Sequence, residues 1–111
     1  MKNDLTYIED IKEAIAKILR YTEGITREEF EVSEMMQDAV IRNFEIIGEA
    51  TKKLSQGFTS LYVKIPWKEM SGMRDKLIQD YMGVEIDVVW KTIEDDIPEL
   101  SRLFQDIETN A

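Results

Sequence analysis

The chain has 111 residues, 43% of them hydrophobic and 33% charged, which bounds it to one folded domain with a core of moderate size. Fourteen Lys and Arg against 23 Asp and Glu leave a net charge of −9, the wrong sign for an extended phosphate-tracking surface unless a local basic patch or a basic partner offsets it. The absence of both histidine and cysteine excludes disulfides, thiolate chemistry, the usual zinc sites and the commonest general base.

Only 5 Gly and 2 Pro are present, too little turn material for an all-β fold, and no apolar run approaches the length of a membrane span. The opening Met1-Lys2-Asn3-Asp4 runs straight into a helical pattern and resembles no signal peptide. A cytoplasmic location is the expectation.

Leu5, Ile8, Ile11, Ile15, Ile18 and Leu19 recur at three and four residues and predict an amphipathic helix over about residues 4–21. Its polar face pairs Glu9 with Lys12 and Glu13 with Lys17 at helix-neighbour spacing. Gly24 ends it, and Thr26 with Glu29 forms a capping-box pattern that opens a short helix over 27–32. Ser33 then caps a long second helix, about 34–55, with Met36, Ala39, Val40, Phe44, Ile47, Ala50 and Leu54 on one stripe.

Ile41 and Ile46 widen that stripe beyond the needs of one neighbour, and Gly48 in the helix interior suggests a close crossing. Gly57 stops the helix. Residues 58–65 form the one long connection, tacked down by Phe58, Leu61 and Tyr62, and Pro66 pre-sets the first turn of a third helix. That helix carries Met73, Leu77, Ile78 and Met82 on its apolar face and stops at Gly83. Asp87 caps a fourth with Val88, Val89, Trp90 and Ile93. Pro98 breaks it near Asp95 or Asp96, and a fifth, about 97–108, turns Leu100, Leu103, Phe104 and Ile107 inward. The expected fold is all-α: an antiparallel up-down bundle of about five helices, one domain over residues 1–111.

Most enzyme templates fail. There is no Gly-rich phosphate loop, no Ser–His or Cys–His pair, no HExxH, and no Glu-x-x-His for a carboxylate metal site in a helical bundle. Adjacent carboxylates such as Asp95 and Asp96 read as solvated surface in so acidic a chain. The stretch from Met73 to Gly83 is different, because it sets Arg74, Asp75, Asp80 and Tyr81 among apolar residues without structural need. Arg74 and Tyr81, seven apart, project within about 20° of each other on a regular helix. They are placed to touch one ligand, although a solvated helix face has the same rhythm.

Three runs carry a resemblance: Arg42 to Ala50 (RNFEIIGEA), Ile65 to Met70 (IPWKEM) and Met73 to Ile78 (MRDKLI), continued by Asp80 to Val84 (DYMGV) and Val88 to Ile93 (VVWKTI). In this order and spacing they resemble the HepT-like branch of the HEPN domains, over about residues 5–107. The resemblance implies a helical bundle that dimerises and serves as the toxin of a type VII-like toxin–antitoxin pair, beside a minimal nucleotidyltransferase antitoxin. The implied activity is endonucleolytic cleavage of RNA without a metal or other cofactor.

The family signature is Arg, four residues, His, one residue, Tyr, and Arg74, Gln79 and Tyr81 stand at those places. The resemblance implies that Arg74 binds the scissile phosphate, that Asp75 orients the pair, and that the His position handles the proton of the attacking 2′-OH. Two copies of the motif would share one cleft across the dimer. Gln79 can exchange hydrogen bonds but cannot take up a proton near pH 7, so the chain is expected to be inactive or impaired. Arg74 and Gln79, five apart, stand about 140° apart on an ideal helix, so they meet one phosphate only through the long Arg stem, a helix irregularity or the partner copy. Tyr81 is the implied acceptor of AMP from the antitoxin. The competing reading is a non-catalytic helical subunit that docks the nucleotidyltransferase.

Overall fold

A computed structural model describes residues 3–73, 75 and 85–107. Among these residues every regular element is helical: α1 (Asp4–Thr22), α2 (Arg27–Val32), α3 (Glu34–Lys52), α4 (Gln56–Thr59), α5 (Trp67–Ser71), α6 (Ile86–Lys91), a π-helical turn (Thr92–Asp96) and α7 (Ile97–Phe104). No helix among them is long and apolar enough to cross a membrane.

The helix starts follow from side chains that satisfy otherwise orphaned backbone donors. Asn3 accepts from the Thr6 N–H at 3.1 Å and opens α1. The expected capping box is reciprocal: Glu29 N–H donates to Thr26 Oγ1 at 3.1 Å, and Thr26 N–H donates to Glu29 Oε1 at 2.8 Å. Ser33 Oγ accepts from Met36 N–H at the start of α3. After α1 the chain reverses at Gly24, whose φ of 76° falls in the left-handed region that a side chain would disfavour.

α1 and α3 form the centre of the core. Ile8, Ile11, Ile15 and Ile18 of α1 meet Val40, Phe44 and Ile47 of α3, all at most 2% exposed. Burying each such side chain is worth roughly 1.5–3 kcal/mol, so Phe44→Ala would be among the most damaging single changes. Leu5, expected on the apolar face of α1, is instead 42% exposed. Of the two helix-spaced pairs, Lys17 bridges Glu13 at 3.1 Å. Lys12 reaches out of its own helix and donates to the main-chain oxygen of Ile107, fastening the end of the described chain to α1.

Four further expectations are corrected. α3 ends at Lys52, and Gly57 lies inside the short α4, where Ser55 supplies the cap. Leu61 does not tack the connection down; it is largely exposed, and Phe58 and Tyr62 do so as a half-buried tilted ring pair at 5.2 Å. α6 starts after Glu85, which leaves Asp87 in the first turn and bonded to Arg27 of α2. Pro98 does not break the chain either, because α6, the π turn and α7 are continuous. Ile97 N–H reaches back to the Thr92 carbonyl, and this wider register accommodates both the missing donor and the bulk of the Pro98 ring.

Candidate functional site

Arg74, Gln79 and Tyr81 lie outside the described residues. Of the expected site, Asp75 is described: it is helical and exposed. The elements that precede and follow this stretch in the chain, α5 and α6, are described.

On the N-terminal side Pro66 precedes α5, whose Met70 is fully buried; Met73, just beyond, is 6% exposed. α5 crosses α3 at Gly48. A Cβ built there would stand 3.6 Å from the main-chain oxygens of both Met70 and Ser71. The crossing is therefore close, as the sequence suggests, but it retains room for a methyl group. Trp67 fixes the other side of α5. Its ring meets Phe104 of α7 edge-on at 5.7 Å, and its indole N–H lies within hydrogen-bonding distance of the Thr59 and Tyr62 carbonyls, at 3.1 and 3.0 Å. Such an indole is at once core and donor.

On the C-terminal side, α6 is held against α2. Arg27 bonds Asp87 and, along its own helix, Glu31 at 3.0 Å. Phe30 and Trp90 pack as tilted rings at 5.4 Å. Asp87, followed by Glu31, pushes the already high pKa of Arg27 higher still, so the guanidinium stays charged at every physiological pH. The described elements before and after positions 74–84 are thus both anchored: α5 to α3 and α7, and α6 to α2.

Charge is distributed unevenly around this frame. A cleft of about 470 Å³ between α5 and the continuous helix that ends in α7 is lined by Glu69, Asp95, Asp96 and Glu99 together with Met70 and Met73. Asp95 and Asp96 are exposed, as the sequence suggests. Among the described residues no cluster of three acidic side chains could hold a metal ion. The opposite sign gathers elsewhere. Between Glu49 and Glu69 the chain has no carboxylate and four lysines, Lys52, Lys53, Lys64 and Lys68, all exposed.

That basic stretch is tied down at several points. Ser55 donates to Asp4 from both its N–H, at 2.9 Å, and its hydroxyl, at 2.7 Å, which joins the α3–α4 turn to the start of α1. These two donors hold the Asp4 carboxyl below its ordinary value. Lys53 leans over the Tyr7 ring at 5.9 Å. The pattern was open to sequence reading, since a gap of this length in so acidic a chain is visible by inspection; the total charge concealed it.

Comparison with known proteins gives a consistent picture. The family model described as "Ribonuclease HepT-like" matches residues 11–107. The chain is 50% identical over 99 residues to a protein of Thermococcus cleftensis named "Probable ribonuclease HepT", covering 89% of this chain and 90% of that one. It is 40% identical over 107 residues to "Putative RNase TTE0752" of Caldanaerobacter subterraneus subsp. tengcongensis, with 96% of each chain covered. To "Putative RNase MJ0127" of Methanocaldococcus jannaschii it is 37% identical over 111 residues, covering 96% and 92%. No solved structure matches the chain.

Proposed function

The chain belongs to the ribonuclease HepT-like family, and from that membership we propose that it is the toxin subunit of a type VII-like toxin–antitoxin pair whose ancestral reaction is metal-independent endonucleolytic cleavage of RNA. The observation that carries this reading is the family match over residues 11–107, a range in which Arg74, Gln79 and Tyr81 stand. In this reading Arg74 binds the scissile phosphate and the charge that develops on it, and Asp75 orients the motif. Gln79 stands where a histidine would move the 2′-OH proton. Losing a general base costs roughly 10²- to 10⁴-fold, so the natural reaction is slow or absent in this chain.

The helices form an antiparallel up-down bundle, two copies of which share a composite cleft in the cytoplasm. A minimal nucleotidyltransferase antitoxin silences the cleft by transferring AMP to the Tyr81 hydroxyl, which places bulk and negative charge beside Arg74.

Gln79 and the −9 charge favour a second reading for this chain, a helical subunit that docks the nucleotidyltransferase without cutting RNA. RNA cleavage with EDTA present, by this chain and by its Gln79→His form side by side, separates the two. Cleavage by the His form, with none or little by the parent, supports an impaired toxin. If neither cuts while both bind the nucleotidyltransferase, the docking subunit is the better account.

A further inference from the structure

A chain with a net charge of −9 repels a polyphosphate over most of its surface. An RNA that reaches the 74–84 segment must therefore approach from a particular side. The acidic wall of Glu69, Asp95, Asp96 and Glu99 closes one approach. The stretch between Glu49 and Glu69 carries no carboxylate of its own and four exposed lysines.

We propose that Lys52, Lys53, Lys64 and Lys68, with the exposed apolar side chains Leu61 and Val63, form the surface that carries the phosphate backbone of RNA to the segment containing Arg74. The proposal rests on the ribonuclease reading above and adds the route that the substrate takes. Three observations support it. First, the four lysines are exposed, and among the described residues none is held in an ion pair. Lys52, Lys64 and Lys68 present their charge to an incoming anion, while Lys53 stands at the edge of the surface, in a groove with Asp10, Glu45 and Glu49.

Second, the surface is fixed to α5, the helix that precedes the segment in the chain. Trp67 Nε1 ties the connection at Thr59 and Tyr62 to α5, one residue before Lys68 and seven before Arg74. Lys52 lies one helical turn beyond Gly48, where α3 crosses α5. Ser55 bonded to Asp4, and Lys53 over Tyr7, bring the same stretch to the start of α1. Third, Leu61 and Val63 are 73% and 83% exposed within this basic surface. Apolar side chains beside lysines suit the mixed surface of a nucleic acid, with charge for the phosphates and apolar area for sugars and bases. A structural role accounts for part of the pattern, since Lys52 and Lys53 also complement the C-terminal end of the α3 dipole. Lys68 lies in the last turn of the short α5 as well; Lys64 has no such position.

The test compares two quadruple variants that change the net charge equally. One replaces Lys52, Lys53, Lys64 and Lys68 with Gln; the other replaces Lys17, Arg20, Lys91 and Arg102 with Gln. Each is built in the parent chain and in the Gln79→His form, and binding of a fluorescein-labelled single-stranded RNA of mixed sequence is followed by anisotropy over a salt series. Matching thermal melts establish that the variants are folded. The first variant is expected to bind roughly 10- to 100-fold more weakly at low salt, with a slope of log affinity against log salt about 3 units flatter, near 0.7 for each phosphate no longer neutralised. The second is expected to retain the parent slope.

Equal losses in both variants would mean that only net charge matters and would overturn the proposal. So would unchanged RNA binding by the first variant, including the case in which it loses an acidic protein partner instead. If no form binds RNA even at low salt, the ribonuclease reading fails as well, an outcome distinct from RNA binding that ignores the four lysines.

Discussion

The indole nitrogen of Trp67 lies 3.0 Å from the carbonyl oxygen of Tyr62 and 3.1 Å from that of Thr59, so one side chain closes the connection between α4 and α5 onto the helix that leads to the candidate site. Phenylalanine at position 67 would keep most of the packing on Phe104 and lose the donor, while the two carbonyls keep their backbone partners, Tyr62 N–H on Thr59 and Ile65 N–H on Tyr62, each at 3.2 Å. The net loss of such a hydrogen bond runs to about 0.5–1.5 kcal/mol. Trp67→Phe is therefore expected to lower the urea midpoint by an amount equivalent to that range, with little change in the slope of the transition. An unchanged midpoint would mean that the connection is held by other interactions.

Gly48 gives the opposite expectation. The crossing of α3 and α5 is close, yet a Cβ there would meet Met70 and Ser71 oxygens at 3.6 Å, an ordinary van der Waals distance. Alanine in a helix interior is favoured over glycine by about 1 kcal/mol. Gly48→Ala should be neutral or stabilising by up to that amount, whereas Gly48→Leu should force the helices apart and destabilise. Thermal melts of the two variants decide this, and a clear loss of stability in Gly48→Ala would show that the crossing tolerates no side chain.

Much of the architecture was readable because it rests on local signals. The 3.6-residue rhythm of Ile8 to Ile18, the Thr26/Glu29 box and the Ser33 cap each act within a turn or two of chain, and each appears as expected. The misreadings have tertiary causes. Pro98 suggests a break, but a π turn absorbs it where the helix is held by buried Ile93, Ile97 and Leu100. Asp87 resembles a cap, but its carboxylate goes to Arg27, sixty residues away, a partner that no local pattern reveals. For the site, Arg74, Gln79 and Tyr81 come from the resemblance of the motif and lie outside the described residues, whereas the bond that Ser55 makes to Asp4 depends on how the chain folds back.

That last bond has a pH signature. Ser55 depresses the Asp4 pKa in the folded chain relative to the unfolded one. The stabilisation is therefore present above the ordinary carboxylate value, near 3.9, and is lost as pH falls through the lower folded value. Asp4→Asn should be less stable than the parent at pH 7, and the difference should narrow as both are acidified below about pH 4. Melting temperatures across that interval test it; a constant difference would show that ionisation of Asp4 contributes nothing.

Tyr81 would serve as the acceptor of AMP through its phenol oxygen, and phenylalanine removes that atom with little change in shape. Incubation of the parent with the nucleotidyltransferase and ATP should add the mass of an AMP group to the intact protein, and Tyr81→Phe should abolish the gain. A gain that survives the substitution places the modification on another residue.

Gln79→His makes the most specific kinetic prediction. If the missing function at this position is proton uptake from the ribose 2′-OH, the histidine form should cut RNA roughly 10²- to 10⁴-fold faster than the parent, and its rate should rise with pH as the imidazole loses its proton near about 6.5. The parent has no group at that position to titrate, so any residual cleavage should lack that inflection. Arg74→Gln in the Gln79→His background should then remove most of the gain, because a base without its phosphate anchor acts on a poorly placed substrate. A gain of activity that is flat between pH 5 and pH 8, a window of about three units centred on the ordinary imidazole value, would mean that histidine restores the shape of the site and not its acid–base chemistry.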